Sequence, residues 1–148
     1  MKHVVVVDID GTIAKIGDRL KHITDQNPRD YNTFYDRCGE DDPVKEICHL
    51  VETLDRDYEI VFCTGRSERC RAQTIAWIDH HLSLPDGYVL LMRKIKDHRP
   101  DVDVKPELLQ KASIFPQQVL CILEDRNTMV KKWRELGFTC LQVNDGDF

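Results

Sequence analysis

Two aspartates two positions apart, Asp8 and Asp10, stand directly after four consecutive valines, Val4 to Val7, and are followed by Gly11 and Thr12. A short β-branched run of this kind suits a strand buried on both faces of a parallel sheet. Side chains at i and i+2 on an extended backbone point the same way, so both carboxylates can serve one spot. Asp8 is then placed to attack phosphorus and form an acyl phosphate that water later hydrolyses. Asp10 is placed to protonate the leaving oxygen and afterwards to take a proton from that water. Gly11 lets the chain turn away, and Thr12, on the substrate side, offers a hydroxyl that can orient Asp10.

Three further segments could join this pair. Thr64-Gly65-Arg66 follows the apolar run 59–63, Lys105 precedes Pro106 at an expected helix start, and Glu124-Asp125 follows the apolar run 119–123. A carboxylate and a phosphate dianion repel, and a hard cation between them removes that barrier. Magnesium, which takes a few carboxylate oxygens plus water, fits Asp8, the backbone carbonyl of Asp10, and Asp125. Thr64 can donate its hydroxyl to a phosphoryl oxygen, and Lys105 adds positive charge beside Asp8. Each segment alone has a plainer reading as a turn, a helix start or a surface lysine. Their order, each at a strand end or ahead of a helix, favours convergence.

The elements that must position these residues follow from periodicity. Strands are expected at 3–7, 59–63, 88–92, 119–123 and 139–143. Helices are expected at 43–54, where Pro43 suits the first turn, from a Ser67 cap to about 82, at 106–113, and from 127 to Gly137. The alternation implies an α/β fold, a doubly wound, Rossmann-like parallel sheet of five strands with its site beyond the strands' carboxyl ends. The 148 residues fit one domain, with 13–42 as a flap or insert above the first strand.

The net charge of −5 argues against general nucleic-acid binding, so any polynucleotide contact must come from a local basic patch. Arg69, Arg71, Arg93, Lys94, Lys96, His98 and Arg99 could form such a rim, or be ordinary surface charge. Tyr31, Phe34 and Tyr35 could stack on bases, although packing of the insert onto the core is the simpler role. The six cysteines form no CxxC unit, and no apolar run reaches the length of a membrane span. No membrane is expected as a partner, and a reducing cytoplasm is the expected compartment.

Together the four segments resemble the four motifs of the haloacid dehalogenase superfamily of phosphatases. Asp8 to Lys15, Arg19, Thr64-Gly65-Arg66, Asp101, Lys105, Asp125-Arg126, Trp133-Arg134 and Gly146-Asp147-Phe148 resemble more narrowly the 3′-phosphatase domains of phage polynucleotide kinase-phosphatases. The resemblance implies a sheet order of 3-2-1-4-5 with little or no cap. It implies Asp8 as nucleophile, Asp10 as general acid–base and Asp125 as the metal ligand of the fourth motif. It places Arg19, Thr64, Arg66, Asp101 and Lys105 on phosphate or substrate. Thr64 stands where the family has serine, and Glu124 where it has aspartate. The implied partner is a phosphorylated nucleic-acid end or a nucleotide. No GxxxxGK[ST] segment occurs, so no kinase domain is expected in this chain.

Other readings compete. The same site could belong to a nucleotidase or another small-molecule phosphatase. Cys63 and Arg69 fit C-x5-R, the phosphate loop of cysteine phosphatases, which need no metal and a thiol of lowered pKa. A receiver-type phospho-acceptor domain is also doubly wound with clustered aspartates, but its acceptor ends the third strand. A catalytically dead scaffold would not need Asp10.

Overall fold

The computed structural model describes residues 3–17 and 38–148. Five parallel strands form one sheet in the order β3-β2-β1-β4-β5: β1 Val4–Val7, β2 Glu59–Ser67, β3 Val89–Arg93, β4 Val119–Glu124 and β5 Cys140–Gln142. The expected strand order is therefore observed. All four β1 valines are buried, because alternate side chains feed two separate cores. Val5 and Val7 pack with Ile60, Phe62, Trp77 and Ile78 on one face. Val4 and Val6 pack with Val61, Leu109, Ile122 and Trp133 on the other.

Among the described residues, four helices cover these faces: α1 Lys45–Leu54, α2 Arg71–His81, α3 Asp101–Lys111 and α4 Asn127–Glu135. The first core takes Cys48 and Val51 from α1 and Trp77 and Ile78 from α2. The second takes Leu109 from α3 and Met129, Val130 and Trp133 from α4. Right-handed crossovers between parallel strands place helices in this way.

Several boundaries differ from the expectation. Helix α3 begins at Asp101, five residues before Pro106, with Pro100 as its N-cap. Lys105 thus lies inside a helix, and Pro106, the sixth of its eleven residues, sits in its interior rather than opening it. Asp101 and Asp103 in the first turn favour the earlier start through the helix dipole. Strand β2 continues through Thr64, Gly65 and Arg66 to Ser67, but its pairing with β3 jumps from Thr64–Met92 to Ser67–Arg93. This irregularity leaves Gly65 and Arg66 out of the ladder at the carboxyl edge, as bulges beside active sites do. Ser67 caps as expected, accepting from the Arg69 N–H, with a 3-10 turn, Glu68–Cys70, placed before α2. Helix α4 stops at Glu135, and Gly137 follows at φ +94°.

The two ends of the 13–42 segment meet. Ala14 bridges Pro43, Lys15 N–H donates to Asp42 O at 2.8 Å and Val44 N–H to Ile13 O at 2.7 Å. Arg19, Tyr31, Phe34 and Tyr35 lie outside the described residues. No helix among the described residues is long and apolar enough to cross a membrane.

The central strand makes a stability prediction. Val6→Ala removes two methyl groups from a fully packed site and should lower unfolding free energy by roughly 2 kcal/mol or more. Leu50→Ala, on the exposed side of α1, should change it by less than about 0.5 kcal/mol. Urea unfolding distinguishes the two, and equal small losses would show that β1 is not the centre of the core.

Candidate active site

The carboxyl ends of β1, β2 and β4, with the first turns of α3, form the floor of a cleft of about 90 Å³ that reaches Asp8, Asp10, Thr64, Lys105 and Asp125. The four sequence segments are brought together there.

Lys105 anchors the floor. It is buried, and its Nζ donates to Asp8 Oδ1 at 2.7 Å and to Glu124 Oε2 at 2.9 Å. Burial pulls its pKa down, but Asp8 and Glu124 outweigh burial and hold it well above the ordinary lysine value. The Thr12 hydroxyl is 2.9 Å from Asp8 Oδ2 and 3.5 Å from Asp125 Oδ1. Thr12 therefore orients Asp8, where the sequence suggested Asp10. It is fully buried because the turn after Ile9 folds back, with Thr12, Ile13 and Ala14 N–H groups all donating to Ile9 O. With Lys105 on one oxygen and Thr12 on the other, the Asp8 carboxylate has a fixed plane.

Asp10 is held from the opposite side. Arg66 Nε lies 3.1–3.2 Å from both Asp10 oxygens and Nη2 lies 2.8 Å from Oδ1. The same guanidinium reaches Asp41 Oδ2 at 3.1 Å and the Thr74 hydroxyl at 3.1 Å. Arg66 thus lines the cleft with its guanidinium turned onto carboxylates, and it acts on Asp10 directly. Asp41 and Thr74 were missed by sequence reasoning. Neither lies near a strand end in the sequence, and only the folded chain brings them to Arg66. Thr64 accepts the Arg66 N–H at 3.0 Å, which fixes its oxygen and leaves the hydroxyl proton for an acceptor in the cleft.

Asp101 sits against β2. Arg93 Nη2 binds its Oδ1, and Arg126 Nη1 lies 3.3 Å from Oδ2. A Cβ on Gly65 would fall 2.3 Å from Asp101 Oδ1, so only glycine lets this carboxylate approach the strand. Arg93, expected on a basic rim, is instead buried and also donates to Gly65 O and Asp97 O. Arg71 and Arg99 are likewise paired, with Glu68 and with Asp97 and Glu107.

Asp8, Glu124 and Asp125 offer carboxylate oxygens within 4.8 Å of one another. Glu124 is engaged inward, on Lys105 and Trp133 Nε1 through Oε2 and on the Asp125 N–H through Oε1. Asp125 stands over Gly11, where φ is +85° and a Cβ would lie 1.9 Å from Asp125 Oδ2. Burial first and Glu124 second push the Asp125 carboxyl up to about 6. Burial and Glu124 also raise Asp8, against the pull of Lys105. Three buried carboxylates opposed by one ammonium leave an excess of negative charge, and this oxygen donor set fits a hard divalent cation.

Cys63 does not take part. Its thiol is buried, lies 3.7 Å from Lys105 O, and is pushed up to about 12 by burial. A thiol so placed is not a nucleophile, which removes the C-x5-R reading.

The cluster predicts a pH-dependent response to metal. A carboxyl raised in the folded state contributes stability below its unfolded pKa of about 4, and that contribution is lost as pH rises through about 6. Without divalent ions the Tm should therefore fall from pH 4 to pH 6.5. Added Mg2+ should restore it near pH 7 and do little near pH 4. A Tm indifferent to Mg2+ at both pH values would show that the cluster binds no cation.

Comparison with known proteins agrees with this geometry. The family described as the polynucleotide kinase PNKP phosphatase domain matches residues 2–148. A putative bifunctional polynucleotide kinase/RNA ligase of Autographa californica nuclear polyhedrosis virus is 27% identical over 134 residues, covering 89% of this chain and 18% of the viral protein. A component of the Pnkp1/Rnl/Hen1 RNA repair complex superposes with a TM-score of 0.83 at 28% identity, over 100% of this chain and 44% of that one. The haloacid dehalogenase-like hydrolase SP0104 from Streptococcus pneumoniae shares the fold, with a TM-score of 0.66 at 15% identity over 95% of this chain and 84% of that one. The chain thus spans less than half of the two larger relatives. It belongs to the family of polynucleotide kinase PNKP phosphatase domains, phosphoric monoester hydrolases of the haloacid dehalogenase superfamily.

Proposed function

We propose that this domain removes a terminal 3′-phosphate from a polynucleotide through an aspartyl-phosphate on Asp8. The observation that carries the reading is the fixed Asp8 carboxylate, held by Lys105 and Thr12 at the base of a cleft that also contains Asp10. An Asp8 oxygen bonds to phosphorus as the ester P–O bond breaks, and a protonated Asp10 gives its proton to the leaving 3′ oxygen. Water then attacks phosphorus, Asp10 takes the proton, and the bond to Asp8 breaks to release inorganic phosphate. Arg66 keeps the Asp10 side chain in place between these steps. Lys105, Thr64 and Asp101 surround the phosphoryl position, with Lys105 countering charge near Asp8. Magnesium held by Asp8, Asp125 and the Asp10 carbonyl would supply the positive charge that lets a carboxylate approach a phosphate dianion.

One observation supports a polymer end over a small ester: the family is named for polynucleotide kinase, and both larger relatives carry polynucleotide or RNA-repair names.

Two experiments test the reading. Asp8→Asn and Asp10→Asn should each lower steady-state turnover by roughly 10³-fold or more. With p-nitrophenyl phosphate, whose leaving group needs no proton, Asp10→Asn should give a near-stoichiometric burst and then stop. Sustained turnover in that variant removes Asp10 as the base. Phosphate release should be fastest from a 3′-phosphorylated oligonucleotide, slower from a 3′-mononucleotide, and near background from a 5′-phosphorylated oligonucleotide. Preference for mononucleotides would make the protein a nucleotidase.

A further inference from the structure

Most cations around the cleft are already matched to carboxylates. Arg66 is held by Asp10 and Asp41, Lys105 by Asp8 and Glu124, and Arg93 and Arg126 by Asp101. The segment 94–99, which joins β3 to the approach of α3, differs. Its Asp97 and Arg99 neutralise each other, and both line the cleft with His98. The surplus on this segment is Lys94 and Lys96, both exposed and both without an ion pair among the described residues.

This segment is also rigid for an exposed loop. Arg93, buried beneath it, donates Nη1 to Asp97 O at 3.1 Å and to Arg99 O. The Asp97 N–H closes a turn on Lys94 O at 3.1 Å, and the Arg99 N–H caps on Asp97 Oδ1 at 3.1 Å. Within the turn, Lys96 has φ +69°. The left-handed region is sterically disfavoured for a lysine, so the loop is held in a conformation its residues do not prefer. At its tip, between the two lysines, Ile95 is 60% exposed. An exposed apolar side chain flanked by two lysines without an ion pair among the described residues, on the segment whose Asp97, His98 and Arg99 line the cleft of a protein of net charge −5, is matched by a strand of alternating phosphates and apolar base faces.

We propose that the 94–99 loop is a strand-binding subsite: Lys94 and Lys96 contact internucleotide phosphates on the 5′ side of the terminal 3′-phosphate, and Ile95 packs on a base. The inference rests on the polynucleotide reading above and names the part of the molecule that makes the distinction between a polymer and a small ester. No base-specific hydrogen bonding is implied, so the subsite is tolerant of sequence.

The test uses the Lys94→Ala/Lys96→Ala double variant and a 3′-phosphorylated single-stranded 12-mer, with the 3′-mononucleotide and p-nitrophenyl phosphate as short substrates. Lys131→Ala, an exposed lysine on α4 paired only with Glu135 among the described residues, is the control. For the double variant, kcat/KM on the 12-mer relative to p-nitrophenyl phosphate should fall roughly tenfold, mainly through KM. The slope of log kcat/KM against log salt should become shallower by about 1.4, since a single-strand phosphate contact contributes about 0.7. Lys131→Ala should match wild type in both. If wild type prefers the 12-mer but the double variant keeps the wild-type ratio and slope, the subsite is overturned and the polynucleotide reading stands. If wild type turns over the 3′-mononucleotide as efficiently as the 12-mer, both are overturned.

Discussion

One buried ammonium organises this molecule. Lys105 lies beneath Asp8 and ties it to Glu124, so that two strands and one helix are joined by charge at a point with almost no access to water. Removing one member of such a set leaves an unopposed buried charge, which typically costs 3–5 kcal/mol. The arrangement cannot be neutral on its own, because Asp125 adds a third carboxylate within reach. The site is therefore built to be completed by a proton or a cation. The surrounding fold, with its two apolar cores and its parallel strands ending at the same edge, keeps that demand in one place.

A second layer works outward from this centre. Arg66 connects Asp10 to Asp41, and Asp41 in turn accepts Trp77 Nε1 on its carbonyl at 2.8 Å. Asp10 is thus tied to helix α2 as well as to the turn that follows its own strand. On the other wall, Arg126 lies 5.2 Å from the centre of the Phe148 ring and donates to Phe148 O while reaching Asp101. Both walls use an arginine as the connector, since its planar fork can serve several acceptors at fixed angles.

Much of this was legible in the amino-acid order. Four valines before Asp8 mark a doubly buried central strand, and the alternation of elements marks the doubly wound sheet. Those signals are local, and local periodicity survives folding. Helix α3 was misplaced because Pro106 is a strong helix-start signal and was weighed above the acidic Asp101 and Asp103 of the true first turn. The partners of Arg66 were not legible, since Asp41 and Thr74 are distant from it or plain in context. Arg93 looked like surface charge for a related reason. Its burial depends on the turn at 94–99, and that turn needs a lysine in the left-handed region, which no propensity rule anticipates.

The crossing of the chain at Ala14 and Pro43 has a consequence for how this architecture diversifies. Main-chain hydrogen bonds close the neck of that excursion, so its two ends are fixed to each other whatever the length of chain between them. Lengthening a closed loop is cheap, about 0.6 kcal/mol for each doubling. Such a neck serves as a grafting point, where new sequence can be added beside the reaction centre without renegotiating the sheet that carries it.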